Sequence, residues 1–167
     1  METRLSCDPL EALNDALCRE QEGHAFYLKA AERTENPGGA GMFRTLADAT
    51  SVQIELLEAQ IEALTQNNTW MLPTCVLECE FDLESPPYPR DRATFEREIR
   101  PDASEADAVL FALQAENTNY SKYVQEAKAT ENDEARQFYT YLAENTRTQM
   151  DLLMLNYEGL AANVVTR

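Results

Sequence analysis

The sequence predicts an all-α protein, an antiparallel four-helix bundle with one long crossover connection, built from a duplicated helix pair. Three observations carry this. Apolar residues recur at steps of three and four in four long segments. Two connections between those segments are short and one is long, the loop pattern of a bundle with a single crossover. Residues 8–64 also align with residues 104–160 at a constant offset of 96, without gaps and with 17 of 57 pairs identical, the mark of an internal repeat. The 167 residues suit one domain. It divides into a helix pair over 8–66, a crossover over 67–101 and a second pair over 102–160.

The first helix opens at Asp8-Pro9, where Asp8 suits the N-cap, Pro9 the first helical position and Glu11 a capping box. Its apolar positions are Leu10, Leu13, Leu17, Tyr27, Leu28 and Ala31, and Asn36-Pro37-Gly38-Gly39 reads as its stop. The second helix is expected over about Gly41 to Gln66, with Met42, Phe43, Leu46, Leu57, Ile61 and Leu64 on one stripe. The crossover holds Pro73, Pro86, Pro87 and Pro89, the single Trp70, and Cys75 and Cys79. A short helical turn is expected at Ala93 to Ile99. The third helix starts at Asp102-Ala103-Ser104 and reaches about Thr130; the fourth runs from about Asp133 to Leu160.

Composition narrows the function classes. Asp plus Glu total 30 against 14 Lys plus Arg, a net charge of −16. Nucleic acid and anionic membrane need a basic face, so neither is expected as a partner. No apolar run is long enough to span a bilayer, and Met1–Leu10 lacks the apolar core of a signal peptide. A cytoplasmic location is the expectation, with Cys7, Cys18, Cys75 and Cys79 reduced. Cys75 and Cys79 have three residues between them in the connection, not the two of a thioredoxin or zinc-ribbon motif.

The informative feature is polar. Leu13, Leu17, Glu20, His24, Tyr27 and Ala31 follow helical steps, which puts Glu20 on the core stripe. Glu116 sits likewise among Val109, Leu113, Tyr120, Tyr123 and Ala127. Thr50 and Gln53 lie between Leu46 and Leu57, and Thr146 and Gln149 between Leu142 and Leu153. Six polar side chains thus share the core, and an unpaired one costs a few kcal/mol. Tyr27 and Tyr123 read as core aromatics whose hydroxyls need partners.

Residues Glu20-Gln21-Glu22-Gly23-His24-Ala25-Phe26-Tyr27-Leu28-Lys29-Ala30-Ala31-Glu32, followed by Met42-Phe43-Arg44-Thr45-Leu46-Ala47-Asp48, resemble the rubrerythrin branch of the ferritin-like superfamily. The resemblance runs from Pro9 to Leu160 through both halves. It implies a bundle with a carboxylate-bridged di-iron site, each half giving one Glu from its first helix and a Glu-x-x-His from its second. It also implies peroxide reduction or ferrous-iron oxidation as ancestral chemistry, and self-association into a homodimer. Glu20 and Glu116 match the first-helix ligands. Thr50-x-x-Gln53 and Thr146-x-x-Gln149 stand where Glu-x-x-His is expected. Thr hydroxyl and Gln amide do not replace carboxylate and imidazole for iron.

Three readings follow. In the first, the di-iron site is depleted, the polar layer satisfies itself, no cofactor is held, and the bundle is non-catalytic. In the second, the chain is a metal-binding oxidoreductase using one divalent iron, manganese or zinc ion on Glu20, Glu116 and His24. In the third, the layer holds a small organic ligand on its two Glu and two Gln.

Overall fold

The computed structural model describes residues 8–72 and 104–165. Within them lie four helices and no strand: α1 (Pro9–Arg33), α2 (Pro37–Asn67), α3 (Ser104–Ala129) and α4 (Asp133–Val165). Cys7, Cys75, Cys79, the crossover prolines and the turn expected at 93–99 lie outside the described residues.

Local chemistry sets the helix ends. Asp8 caps α1, its carboxylate accepting from the Leu10 N–H at 3.0 Å, with Pro9 at the first position. The Asn36-Pro37-Gly38-Gly39 run does not only stop α1; it starts α2 four residues before the expected Gly41. Asn36 is the N-cap, accepting from the Gly38 N–H at 2.9 Å, and Pro37 opens the helix. Gly39 leaves room there for the Glu105 carboxylate, which a Cβ would displace, and a Cβ would also lie 2.9 Å from Thr34 Cγ2. Asn132 repeats the cap at α4, accepting from the Ala135 N–H at 2.9 Å. Helix α2 closes on Asn68 in the left-handed conformation, φ 52°. Helix α4 continues past Leu160 to Val165 through Ala161 and Ala162, good helix formers.

Helix α1 packs along α2 and α3 along α4, each pair joined by a turn of three residues and therefore antiparallel. The pairs meet more sparsely, α1 on α3 and α2 on α4. Contacts fix α1 and α3 as antiparallel too: Glu20 faces Tyr123, Tyr27 faces Glu116 and Phe26 faces Phe111. The core holds Leu13, Tyr27, Phe43, Leu46 and Leu57 from the first pair, and Val109, Leu113, Phe138, Leu142 and Leu153 from the second. Leu28, placed by sequence on the α1 stripe, is 46% exposed; one residue past Tyr27, it turns about 100° off the core face.

The chain leaving α2 is held. Buried Gln60 donates to the Thr69 carbonyl at 3.2 Å and accepts from the Met71 N–H at 2.8 Å. Trp70 packs on Phe138 and Tyr139 of α4, with ring centroids 5.7 and 5.9 Å apart.

Candidate functional site

The polar residues expected in the core are all there: Glu20, Thr50, Gln53, Glu116, Thr146 and Gln149, together with Tyr27 and Tyr123. Their partners lie across the bundle. Tyr27 Oη donates to Glu116 Oε1 at 2.5 Å, and Tyr123 Oη donates to Glu20 Oε1 at 2.6 Å. These bonds are equivalent at the 96-residue offset, and each ties one helix pair to the other. Gln149, in the amide orientation its neighbours satisfy, donates to Glu116 at 3.1 and 3.2 Å and accepts from Gln53 Nε2 at 3.0 Å. Gln53 Oε1 is buried and has no hydrogen-bond partner among the described residues.

The threonines take no part in this network as donors. Thr50 and Thr146 turn their hydroxyls onto their own helices, donating to the Leu46 and Leu142 carbonyls at 2.7 and 2.8 Å. His24 is half-buried, with Nδ1 3.0 Å from the Ala47 carbonyl oxygen of α2. A carbonyl only accepts, so Nδ1 carries the proton.

Burial pushes both carboxyls up, Glu20 to about 7 and Glu116 to about 8. For Glu116 the charge of Glu20 adds to the rise, while the Tyr27 and Asn119 bonds oppose it. For Glu20 the Tyr123 bond and the nearby Arg19 charge oppose it. Burial and the facing carboxylates raise both tyrosine hydroxyls well above their ordinary value, so they stay protonated donors.

These donors do not fit a pair of metal ions. Two ferrous ions carry four positive charges, which the two carboxylates of the layer do not balance, and imidazole is absent at Gln53 and Gln149. Among the described residues no group of three or more His, Cys, Asp and Glu side chains is placed to hold a metal.

Sequence reading missed what flanks the layer. Two clefts open along the α1–α3 seam. One, of about 230 Å³, is lined by Asp15, Arg19, Lys122, Tyr123 and Glu126 among others. The other, of about 520 Å³, is lined by Gly23, Phe26, Phe111 and Ala115 together with charged Arg19, Glu22 and Lys29, and reaches Glu20 and Glu116. Arg19 lies between the two clefts and lines both, with Cζ 5.7 Å from the Tyr123 ring centroid and Nε donating to Asn119 Oδ1 at 2.9 Å. The signal that could have found it is the repeat itself, in which charged Arg19 aligns with Ala115.

Comparison of the chain with protein-family models, curated proteins and solved structures gives no match. The case for a function therefore rests on the layer and the seam.

Proposed function

We propose that the chain is a ferritin-like bundle of the rubrerythrin type whose di-iron layer has given way to a hydrogen-bonded polar layer, and that it acts as a non-catalytic module. The observation that carries this reading is the crossed pair of Tyr–Glu bonds, 2.5 and 2.6 Å long, which occupies the two carboxylates that a metal pair would need. The Gln149–Glu116 and Gln53–Gln149 bonds extend it. One leftover acceptor, Gln53 Oε1, needs a single O–H donor, which a protonated carboxyl or one water supplies.

The test is elemental analysis of protein expressed with added iron, manganese and zinc, beside the Glu20→Gln/Glu116→Gln double variant. No stoichiometric metal is expected in either. Near-stoichiometric metal that disappears in the double variant overturns the reading in favour of a metal-binding oxidoreductase on Glu20, Glu116 and His24. The alignment behind the reading has its own test. Glu at positions 50 and 146 with His at 53 and 149 should restore iron binding and its near-ultraviolet absorbance; a folded variant that binds no iron counts against the alignment.

A further inference from the structure

The two seam clefts follow one plan with different charge. At the offset of 96, Asp15 and Glu126 of the smaller cleft correspond to Phe111 and Ala30, and Gln125 corresponds to Lys29. The third acid of the smaller cleft, Glu11, corresponds to Asp107, which does not line the larger one. The larger cleft thus lacks the acids of its counterpart and has a lysine in addition, while Arg19 lines both. Its rim carries two cations, Arg19 and Lys29, against one exposed acid, Glu22, whose carboxylate faces Cys18 Sγ at 3.9 Å. Beneath it, burial holds Glu20 and Glu116 towards their neutral forms. Between the two cations the surface is apolar, with the Phe26 and Phe111 ring centroids 4.8 Å apart beside Ala112 and Ala115. Gly23 leaves the space wide: a Cβ there would meet nothing within 4 Å.

We propose that the larger cleft binds an amphipathic carboxylate, its acid group on Arg19 and its apolar body along Gly23, Phe26 and Phe111 towards Lys29. Arg19 is held ready for this. Its Nε donates to Asn119 Oδ1 and its Cζ lies 5.7 Å from the Tyr123 ring centroid, which together hold the guanidinium in place. The two terminal amino groups make no hydrogen bond or ion pair among the described residues, and a planar fork of such donors matches a carboxylate. Lys29 lies roughly 15 Å further along α1, so the two cations bracket the apolar stretch. Phe111 is 50% exposed and offers the surface that a ligand body would cover. A volume of about 520 Å³ accepts a small organic molecule. Such a ligand lies on the α1–α3 face and not among the Glu and Gln side chains of the layer. The proposal goes beyond the non-catalytic reading, and the two fail separately, one by metal content and the other by ligand binding.

The experiment is calorimetric titration of the full chain with 4-phenylbutyrate and its neutral isostere 4-phenylbutyramide. The carboxylate is expected to bind at least about tenfold more tightly than the amide, and Arg19→Met to erase about that factor. Glu22→Gln, which removes the acid at the rim, should strengthen carboxylate binding by about twofold. Phe111→Asp, which gives this cleft the acid of its counterpart, should abolish binding. Gly23→Leu, which fills the space from α1, should abolish it too, so the claim stands or falls on these two if Arg19→Met does not fold. Equal binding of the amide overturns the proposal, as does failure of both probes at millimolar concentration. Carboxylate binding that survives both Phe111→Asp and Gly23→Leu overturns it as well, since it then belongs to another part of the surface.

Discussion

The two ends of the α1–α3 seam start from the same plan and finish differently. Both place a tyrosine of one helix on a glutamate of the other. Beyond that bond, one end carries Asp15, Arg19, Lys122 and Glu126, and the other Phe111, Ala115, Phe26 and Ala30 in the equivalent places. The bonds that cross between helix pairs are kept in duplicate, while the side chains beside them diverge. The reason is energetic. A buried carboxyl that loses its donor costs about 1–3 kcal/mol. A substitution at the half-open rim usually costs about 0.5 kcal/mol or less. Divergence is therefore cheap at the rim and leaves the layer undisturbed.

The largest effect should come from pH, which acts on what the two ends share. Glu20 and Glu116 hold their protons more tightly in the folded chain, at about 7 and 8, than at the ordinary 4.5. The stability they permit is complete below the ordinary value, is lost at about 1.4 kcal/mol per pH unit for each group as pH climbs from there towards 7 and 8, and is gone above them. Thermal melts should thus fall from about pH 5 to pH 8 and level off above it, and the Glu20→Gln/Glu116→Gln variant should flatten that slope. An unchanged slope in the double variant would place the pH dependence elsewhere.

The tyrosines should separate the ends next. Tyr123→Phe and Tyr27→Phe each remove a donor from a buried carboxyl, at about 1–3 kcal/mol. Glu116 also accepts from Gln149 and Asn119, so it is better cushioned than Glu20. Tyr123→Phe should therefore cost more than Tyr27→Phe in chemical denaturation; the reverse order would break the assignment of Gln149 to Glu116. A smaller loss is expected from Arg19→Met, about 1–2 kcal/mol, because the Asn119 bond and the cation over Tyr123 both go. It should also raise the Glu20 midpoint, since Arg19 holds it down. The smallest effect belongs to Phe111→Asp, which gives the apolar end the residue type found at Asp15. Phe111 is 50% exposed, so about 1 kcal/mol or less is expected, and a larger loss would show that this rim is core.

Much of this was legible before any coordinates. Steps of three and four placed Glu20, Glu116, Gln53 and Gln149 in the core, and Asp8-Pro9 marked the start of α1. The same Asn-Pro logic holds at Asn36-Pro37, but two following glycines read as a break, although Gly39 sits inside the helix against the Glu105 carboxylate. The partners of the layer were not legible. Periodicity gives the face of a residue, not its height against another helix, so nothing in the sequence paired Tyr27 with Glu116. The threonines were expected to serve the layer, yet a hydroxyl one turn from its own carbonyl has a nearer acceptor. The charged rim went unread because Arg19 stands beside the stripe rather than on it.

The crossed Tyr–Glu bonds also bear on how the chain reaches one structure. Within each helix pair the contacts are close in sequence, so α1–α2 and α3–α4 can form as separate hairpins before they dock. Apolar stripes alone leave the docking height loosely set, since one leucine layer resembles the next. A slip of one turn moves a helix about 5.4 Å along its neighbour, and both carboxyls would then lose their tyrosines together. The polar layer works as a vernier: two matched marks, one on each hairpin, that coincide at a single setting.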